Sequence, residues 1–110
     1  MTFDEYQQQA LTTMVRHKDP LMNKTVLAMG VAGEAGEVIE KWKKLVGYWD
    51  GDITDEFRQE MGKELADVVW YIATLSHELG LSFDEIMQQN VEKLRSRQER
   101  GAIKGAGDNR

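Results

Sequence analysis

The sequence predicts an all-α fold in which four helices are joined by short loops, most simply as a bundle. Helix start signals recur along the chain, and no stretch shows the apolar–polar alternation that is typical of a strand. The only proline, Pro20, stands where it can begin a helix rather than break one. A chain of 110 residues has room for one core, so we expect a single domain over residues 1–110.

A residue that can cap a helix start precedes each predicted helix. Its side chain accepts a hydrogen bond from one of the first backbone N–H groups, which have no partner within the helix. These residues are Thr2, Asp19, Thr54 and Ser82. The helices are predicted to end at about His17, Val46, Leu79 and Arg100. Residues 101–110 contain three glycines and are expected to form a flexible tail.

The composition argues against several classes of protein. The chain has no cysteine, so neither a disulfide framework nor a thiolate metal site is available. No apolar run approaches the length of a membrane span and the acidic N-terminus is unlike a signal peptide, so we expect a cytoplasmic protein that does not contact the membrane. The formal net charge of −5 argues against binding to a nucleic-acid polymer.

The core is expected where the apolar arcs of the helices meet. On the second helix this arc holds Leu27, Val31, Ala35, Val38, Trp42 and Leu45. On the third helix it holds Phe57, Met61, Leu65, Val68, Ile72, Leu75 and Leu79. On the fourth helix it holds Phe83, Ile86, Met87, Val91 and Leu94.

Two pairs of acidic residues stand beside these arcs. Glu34 and Glu37 form an E-x-x-E pair in the segment GEAGEVIEKWKK, and Glu64 and Asp67 form an E-x-x-D pair. A spacing of three residues puts both members of a pair on one side of a helix. On a helical wheel Glu34 lies at the edge of its arc and Glu64 lies within its arc, whereas Glu40 points to solvent.

Such carboxylates need a partner, because burial of an unpaired charge is costly. The second and third helices are joined by a short loop and should pack antiparallel, which would gather the four carboxylates around one or two metal ions. All-oxygen ligation suits Mg²⁺ or Mn²⁺. The alternative is structural, with Glu34 and Glu64 in buried salt bridges to Lys93 and Arg97.

Three polar residues of the fourth helix also face its apolar side. Asn90 and Arg97 fall on the arc and Lys93 falls at its edge. An amide and two cations that face inwards suit an anionic ligand, so they are candidate contacts for phosphate or sugar groups. Neither histidine has a glutamate three residues before it, so the Glu-x-x-His pattern of di-iron bundles is absent.

Three segments, in order between residues 25 and 100, resemble the MazG-like family of all-α nucleoside triphosphate pyrophosphohydrolases: GEAGEVIEKWKK, KELADVVWYIATLSHELGLSFDEI and NVEKLRSR. The resemblance implies hydrolysis of a (deoxy)nucleoside triphosphate between its α- and β-phosphates, giving the monophosphate and pyrophosphate. It also implies that Mg²⁺ is held by Glu34, Glu37, Glu64 and Asp67. The family often has a further glutamate where this chain has Gly33, so the number of metal ions stays open.

Family members are typically oligomers with sites between neighbouring subunits, so we expect a homodimer or homotetramer. In this hypothesis Glu37 and Glu64 are catalytic, and Glu37 orients or deprotonates the attacking water. The candidate substrate-binding residues are Tyr71, Asn90, Lys93, Arg97, Lys104 and Arg110, the last two closing over the triphosphate if the tail orders. Two alternatives stay open: a non-catalytic helical interaction module and a dUTPase-type all-α enzyme.

Overall fold

The computed structural model describes residues 1–101 and 104–108, and this part of the chain contains four α-helices and no strand. They are α1 (Phe3–Leu11), α2 (Pro20–Tyr48), α3 (Asp55–Glu78) and α4 (Phe83–Glu99). The structure therefore confirms the predicted all-α, four-helix fold. All four predicted caps accept a backbone hydrogen bond at their helix start: Thr2, Asp19, Thr54 and Ser82. Among the described residues, none of the helices has both the length and the apolar character needed to cross a membrane.

The first helix is shorter than predicted. It ends at Leu11, so the expected end near His17 is wrong. Two consecutive threonines explain the difference. The Oγ1 of Thr12 donates to the carbonyl oxygen of Gln9 at 2.6 Å, and the Oγ1 of Thr13 donates to that of Ala10 at 3.1 Å. Hydroxyl groups that bond to the preceding turn in this way compete with the helical ladder.

Helices α2 and α3 form an antiparallel pair with the most extensive contact in the molecule. Near the loop that joins them, Leu45 packs against Phe57 and Met61. Further from the loop, Gly30 faces Tyr71 so closely that a Cβ atom on Gly30 would lie 2.2 Å from the Tyr71 ring. The two helices are therefore held against each other on both sides of the acidic pairs.

A second core joins the remaining helices. Ala10 of α1, Ala73 of α3 and Phe83 of α4 are buried together, and Ile86 and Met87 pack against them. Only the first two turns of α4 contribute to this core. Helix α4 contacts α1 and α3 but not α2.

Part of the predicted core is exposed to solvent. The exposed members of the predicted apolar arcs include Trp42, Leu65, Leu79, Val91 and Leu94. The physical reason is that no helix of the described chain covers these faces, since α2 packs on α3 alone and the later turns of α4 extend beyond the core. The chain by itself thus leaves an unusual amount of apolar surface open.

Candidate metal centre

Three carboxylates from α2 and α3 come together midway along the antiparallel pair. Glu34, Glu64 and Asp67 each offer a carboxylate oxygen, and these three oxygens lie within 4.8 Å of one another. Glu34 and Glu64 are half-buried and Asp67 is exposed. Their helical spacing turns Glu64 and Asp67 to one side of α3, and the packing of α2 brings Glu34 to the same side.

The negative charge of this carboxylate cluster is only partly compensated. Burial, and then the charges of Asp67, Glu64 and Glu37, raise the pKa of Glu34 above its ordinary value of 4.5. Within the described residues, one ion pair reaches the cluster: the Nζ of Lys41 lies 3.7 Å from Oε1 of Glu64. Three carboxylates beside a single lysine leave a net negative charge that a bound cation can neutralise.

The donor set fits a divalent cation. Mg²⁺ binds oxygen ligands at about 2.1 Å, so two of its ligand oxygens lie at most ~4.2 Å apart. The three carboxylate oxygens lie within 4.8 Å of one another, which is close to this value, and small rotations of the carboxylates would bring them within it. Mg²⁺ and Mn²⁺ both suit a ligand set made only of oxygen atoms.

The fourth predicted ligand stands apart. Glu37 is exposed, and its carboxylate does not belong to the group of three, although its charge contributes to the raised pKa of Glu34. Glu40 is exposed to solvent, as predicted. The structure thus brings together three of the four acids named from the sequence.

Tyr71 lies next to this cluster, but its ring is in contact with the protein. It packs against the backbone of α2 at Gly30, one helical turn before Glu34, and stands one turn after Asp67. It also makes an edge-on contact with Trp70, at 4.9 Å between ring centroids. Its packing therefore helps to position the cluster.

Two cations of α4, Lys93 and Arg97, bind the tail of the chain. Arg97 is 3% exposed, and its Nη2 donates to the carbonyl oxygen of Asp108 at 2.9 Å and to Oδ1 at 3.1 Å. The Nζ of Lys93 lies 3.2 Å from the same Oδ1. These contacts hold the pKa of Asp108 below its ordinary value. Asn90 is exposed.

The predicted salt-bridge alternative is therefore wrong within one chain, where Lys93 and Arg97 pair with Asp108 rather than with Glu34 and Glu64. Of the two tail residues that were named as substrate contacts, Lys104 is exposed and Arg110 lies outside the described residues.

Sequence reasoning missed two partners, Lys41 and Asp108. Lys41 follows Glu34 by two helical turns, so the same wheel that placed Glu34 places Lys41 beside it. Asp108 offers no such signal, because a tail can return to α4 in many ways.

The fold and the site define an all-α protein with a carboxylate cluster suited to a divalent cation. Residues 22–101, which hold all of α3 and α4 and all but the first two residues of α2, match the MazG nucleotide pyrophosphohydrolase domain, and the chain belongs to this family. It is also 44% identical over 92 residues to the "Gene 37 protein" of Mycobacterium phage L5, an alignment that covers 84% of this chain and 81% of the phage protein. No solved structure matched the chain.

Proposed function

We propose that this protein hydrolyses a (deoxy)nucleoside triphosphate between the α- and β-phosphates and releases the monophosphate and pyrophosphate. The observation that carries the proposal is the cluster of Glu34, Glu64 and Asp67, whose oxygens converge within 4.8 Å inside a MazG domain. A triphosphate is recognised through divalent cations in many enzymes, and a carboxylate cluster on rigid helices is suited to hold them.

The roles of the acidic residues follow from their positions. Glu34, Glu64 and Asp67 would hold Mg²⁺ or Mn²⁺, which when bound supplies positive charge to the reacting phosphate oxygens. Glu37 is exposed and outside the group of three, so its carboxylate is free to accept a proton from the attacking water. Glu64 is assigned as essential because it is a half-buried member of the cluster.

The predicted phosphate contacts on α4 fit an oligomeric site. Lys93 and Arg97 stand in the later turns of α4, beyond the part that packs on α1 and α3, and α4 does not contact α2. We propose a homodimer or homotetramer in which these cations exchange Asp108 for the phosphates of a substrate held at the carboxylate cluster of a neighbouring copy. Asn90, Lys104 and Arg110 are proposed as additional contacts of the substrate, and Tyr71 as a contact at the edge of the cluster.

A pyrophosphate-release screen tests the proposed activity. The canonical and several modified nucleoside triphosphates, in ribo and deoxy forms, are offered with Mg²⁺, with Mn²⁺ and with EDTA. We expect metal-dependent release of pyrophosphate, and we expect Glu64→Gln to abolish it while the helical circular dichroism is kept. Glu40→Gln is the matched control, because Glu40 is an exposed glutamate of α2 outside the cluster, and it should retain full activity.

Two results would contradict the proposal. A Glu64→Gln protein that releases pyrophosphate at the normal rate would show that the cluster is not the site. No release from any nucleotide, together with no stabilisation by Mg²⁺ or Mn²⁺, would favour a non-catalytic interaction module instead. Release from dUTP alone would identify the dUTPase-type alternative.

A further inference from the structure

A cleft opens beside the loop that joins α2 to α3, at residues 49–54. Its volume is ≈ 680 Å³, which lies within the range of small-molecule sites. Side chains that line it include Lys41, Lys44, Trp49, Thr54, Phe57 and Glu60. None of these residues has a role in the metal centre described above, apart from the ion pair of Lys41.

The cleft is adjacent to the carboxylate cluster. Lys41 lines the cleft, and its Nζ lies 3.7 Å from Oε1 of Glu64. Glu60, also in the lining, stands one turn before Glu64, which is ~6 Å along a helix axis. A molecule whose phosphates lie at the cluster therefore has its remaining atoms within reach of the cleft.

The indole ring of Trp49 is available in this cleft. Trp49 is 55% exposed. The other two tryptophans pack edge-on against aromatic rings, Trp42 against Phe57 and Trp70 against Tyr71, and Trp49 has no such ring contact within the described residues. An exposed indole beside a cleft offers a flat apolar face, and a nucleobase stacks on such a face.

The loop that carries Trp49 is held in one conformation by its backbone. The N–H groups of Gly51 and Trp49 both donate to the carbonyl oxygen of Leu45, at 2.9 and 3.2 Å. Asp50 and Gly51 adopt left-handed φ angles of 52° and 72°, which turn the chain back so that the Gly51 N–H reaches the last turn of α2. A loop ordered before binding loses little conformational freedom when a ligand arrives.

We propose that this cleft binds the nucleoside moiety of the substrate, with the base stacked on Trp49 and with Lys41 turned towards the phosphates. The inference rests on the proposed function above. Without a metal, Lys41 compensates the charge of Glu64. A cation bound by the cluster would take over this compensation and leave the ammonium group of Lys41 to contact the phosphate nearest the sugar. The cleft itself is net negative, because its lining holds Lys41 and Lys44 against Asp50, Asp52, Glu56 and Glu60, so it suits an uncharged nucleoside better than a second phosphate group.

The test measures binding without hydrolysis. The four 2′-deoxynucleoside 5′-monophosphates, which lack the bond that the proposed reaction breaks, are titrated into the full-length protein in Mg²⁺ by calorimetry. For whichever monophosphate binds, we expect Trp49→Ala to raise the dissociation constant by roughly fivefold or more. We expect Trp49→Phe to keep most of the affinity of the unaltered protein. Tyr48→Ala is the matched control, because Tyr48 is a neighbouring exposed aromatic residue that does not line the cleft. Helical circular dichroism and the melting temperature confirm that each variant is folded.

Three results would overturn the proposal: no monophosphate binding by the unaltered protein, no loss of affinity in Trp49→Ala, or an equal loss in Trp49→Ala and Tyr48→Ala. The same variants separate this proposal from the proposed function. If Trp49→Ala releases pyrophosphate with an unchanged KM, the nucleoside site is contradicted and the proposed hydrolase activity stands. If monophosphate binding depends on Trp49 but no nucleotide yields pyrophosphate, the hydrolase activity is contradicted and the nucleoside site stands.

Discussion

Glu34 is the residue at which folding and metal binding oppose each other. Its carboxylate is half-buried beside Glu64, Asp67 and Glu37, and burial followed by these like charges raises its pKa above 4.5. The folded protein therefore binds a proton at Glu34 more readily than the unfolded chain does. Without a cation, ionised Glu34 works against the fold, whereas a bound divalent cation needs this ionised form.

The sign of the pH dependence follows from this shift. The stabilisation that protonated Glu34 provides is fully present below its ordinary pKa of 4.5 and is lost as the pH rises through the raised pKa. As the pH rises over this range in EDTA, we expect the melting temperature of the unaltered protein to fall relative to that of Glu34→Gln. The effects of the other titrating groups are nearly the same in both proteins and largely cancel in this difference. In Mg²⁺ the stabilisation by metal should instead grow with pH. A constant difference between the two proteins across the pH series would contradict the shift.

At the scale of the elements, the spacing of α2 and α3 at the cluster depends on a glycine. A Cβ atom at Gly30 would lie 2.2 Å from the ring of Tyr71, whereas one at Gly33 would meet no atom within 4 Å. Both glycines lie in the interior of the same helix. Of these two glycines, only Gly30 leaves no room for a side chain, because the ring of Tyr71 occupies that space.

The two glycines make a matched pair of substitutions. Gly33→Ala should raise stability by up to ~1 kcal/mol, because alanine favours the helix. Gly30→Ala should lower it by about 1–3 kcal/mol, since the added methyl group forces Tyr71 away from α2. The same displacement should weaken stabilisation by Mn²⁺, and Tyr71→Leu in the Gly30→Ala background should restore part of both losses. Urea unfolding with and without Mn²⁺ measures these effects, and equal stability of the two single variants would refute the spacing argument.

The elements also show how far sequence reasoning reaches. All four helix starts were predictable because caps such as Thr54 act within a single turn. The end of α1 was not, since the hydroxyl groups of Thr12 and Thr13 compete locally with an otherwise helical pattern. Glu64 was placed within the apolar arc of α3 by periodicity alone, and its side chain is half-buried.

Contacts that depend on the approach of distant segments were beyond sequence reasoning. Arg97 was predicted to face inwards and is buried, but its partner is Asp108, on a tail whose return path no local pattern encodes. Exposure of Leu65 was missed for a similar reason: periodicity identifies an apolar face of α3, but not whether another helix of the same chain covers it.

At the scale of the whole molecule, the single chain is more extended and has a more apolar surface than a compact monomeric domain. Its radius of gyration is 17.0 Å, whereas a compact chain of this length has about 13 Å. Met22, Val26 and Met29 are exposed along α2, and Leu65 and Val69 are exposed on α3. Exposed apolar side chains that are neighbours on a helix commonly mark a surface at which another protein packs. A second copy of the chain is the partner we propose for these faces.

A charge placed on this apolar surface tests the assembly. Met29 is 68% exposed in the single chain, so Met29→Glu should leave the fold of that chain intact. In an oligomer that buries α2, the same glutamate would be desolvated without a partner and should dissociate the subunits. Gln59→Glu adds the same charge at an exposed polar position of α3 and is the control. Light scattering after size exclusion should show an oligomer for the unaltered protein and Gln59→Glu and a monomer for Met29→Glu. If Lys93 and Arg97 serve a neighbouring copy, pyrophosphate release should be lost together with the assembly, whereas a fully active monomeric Met29→Glu would place the whole site within one chain.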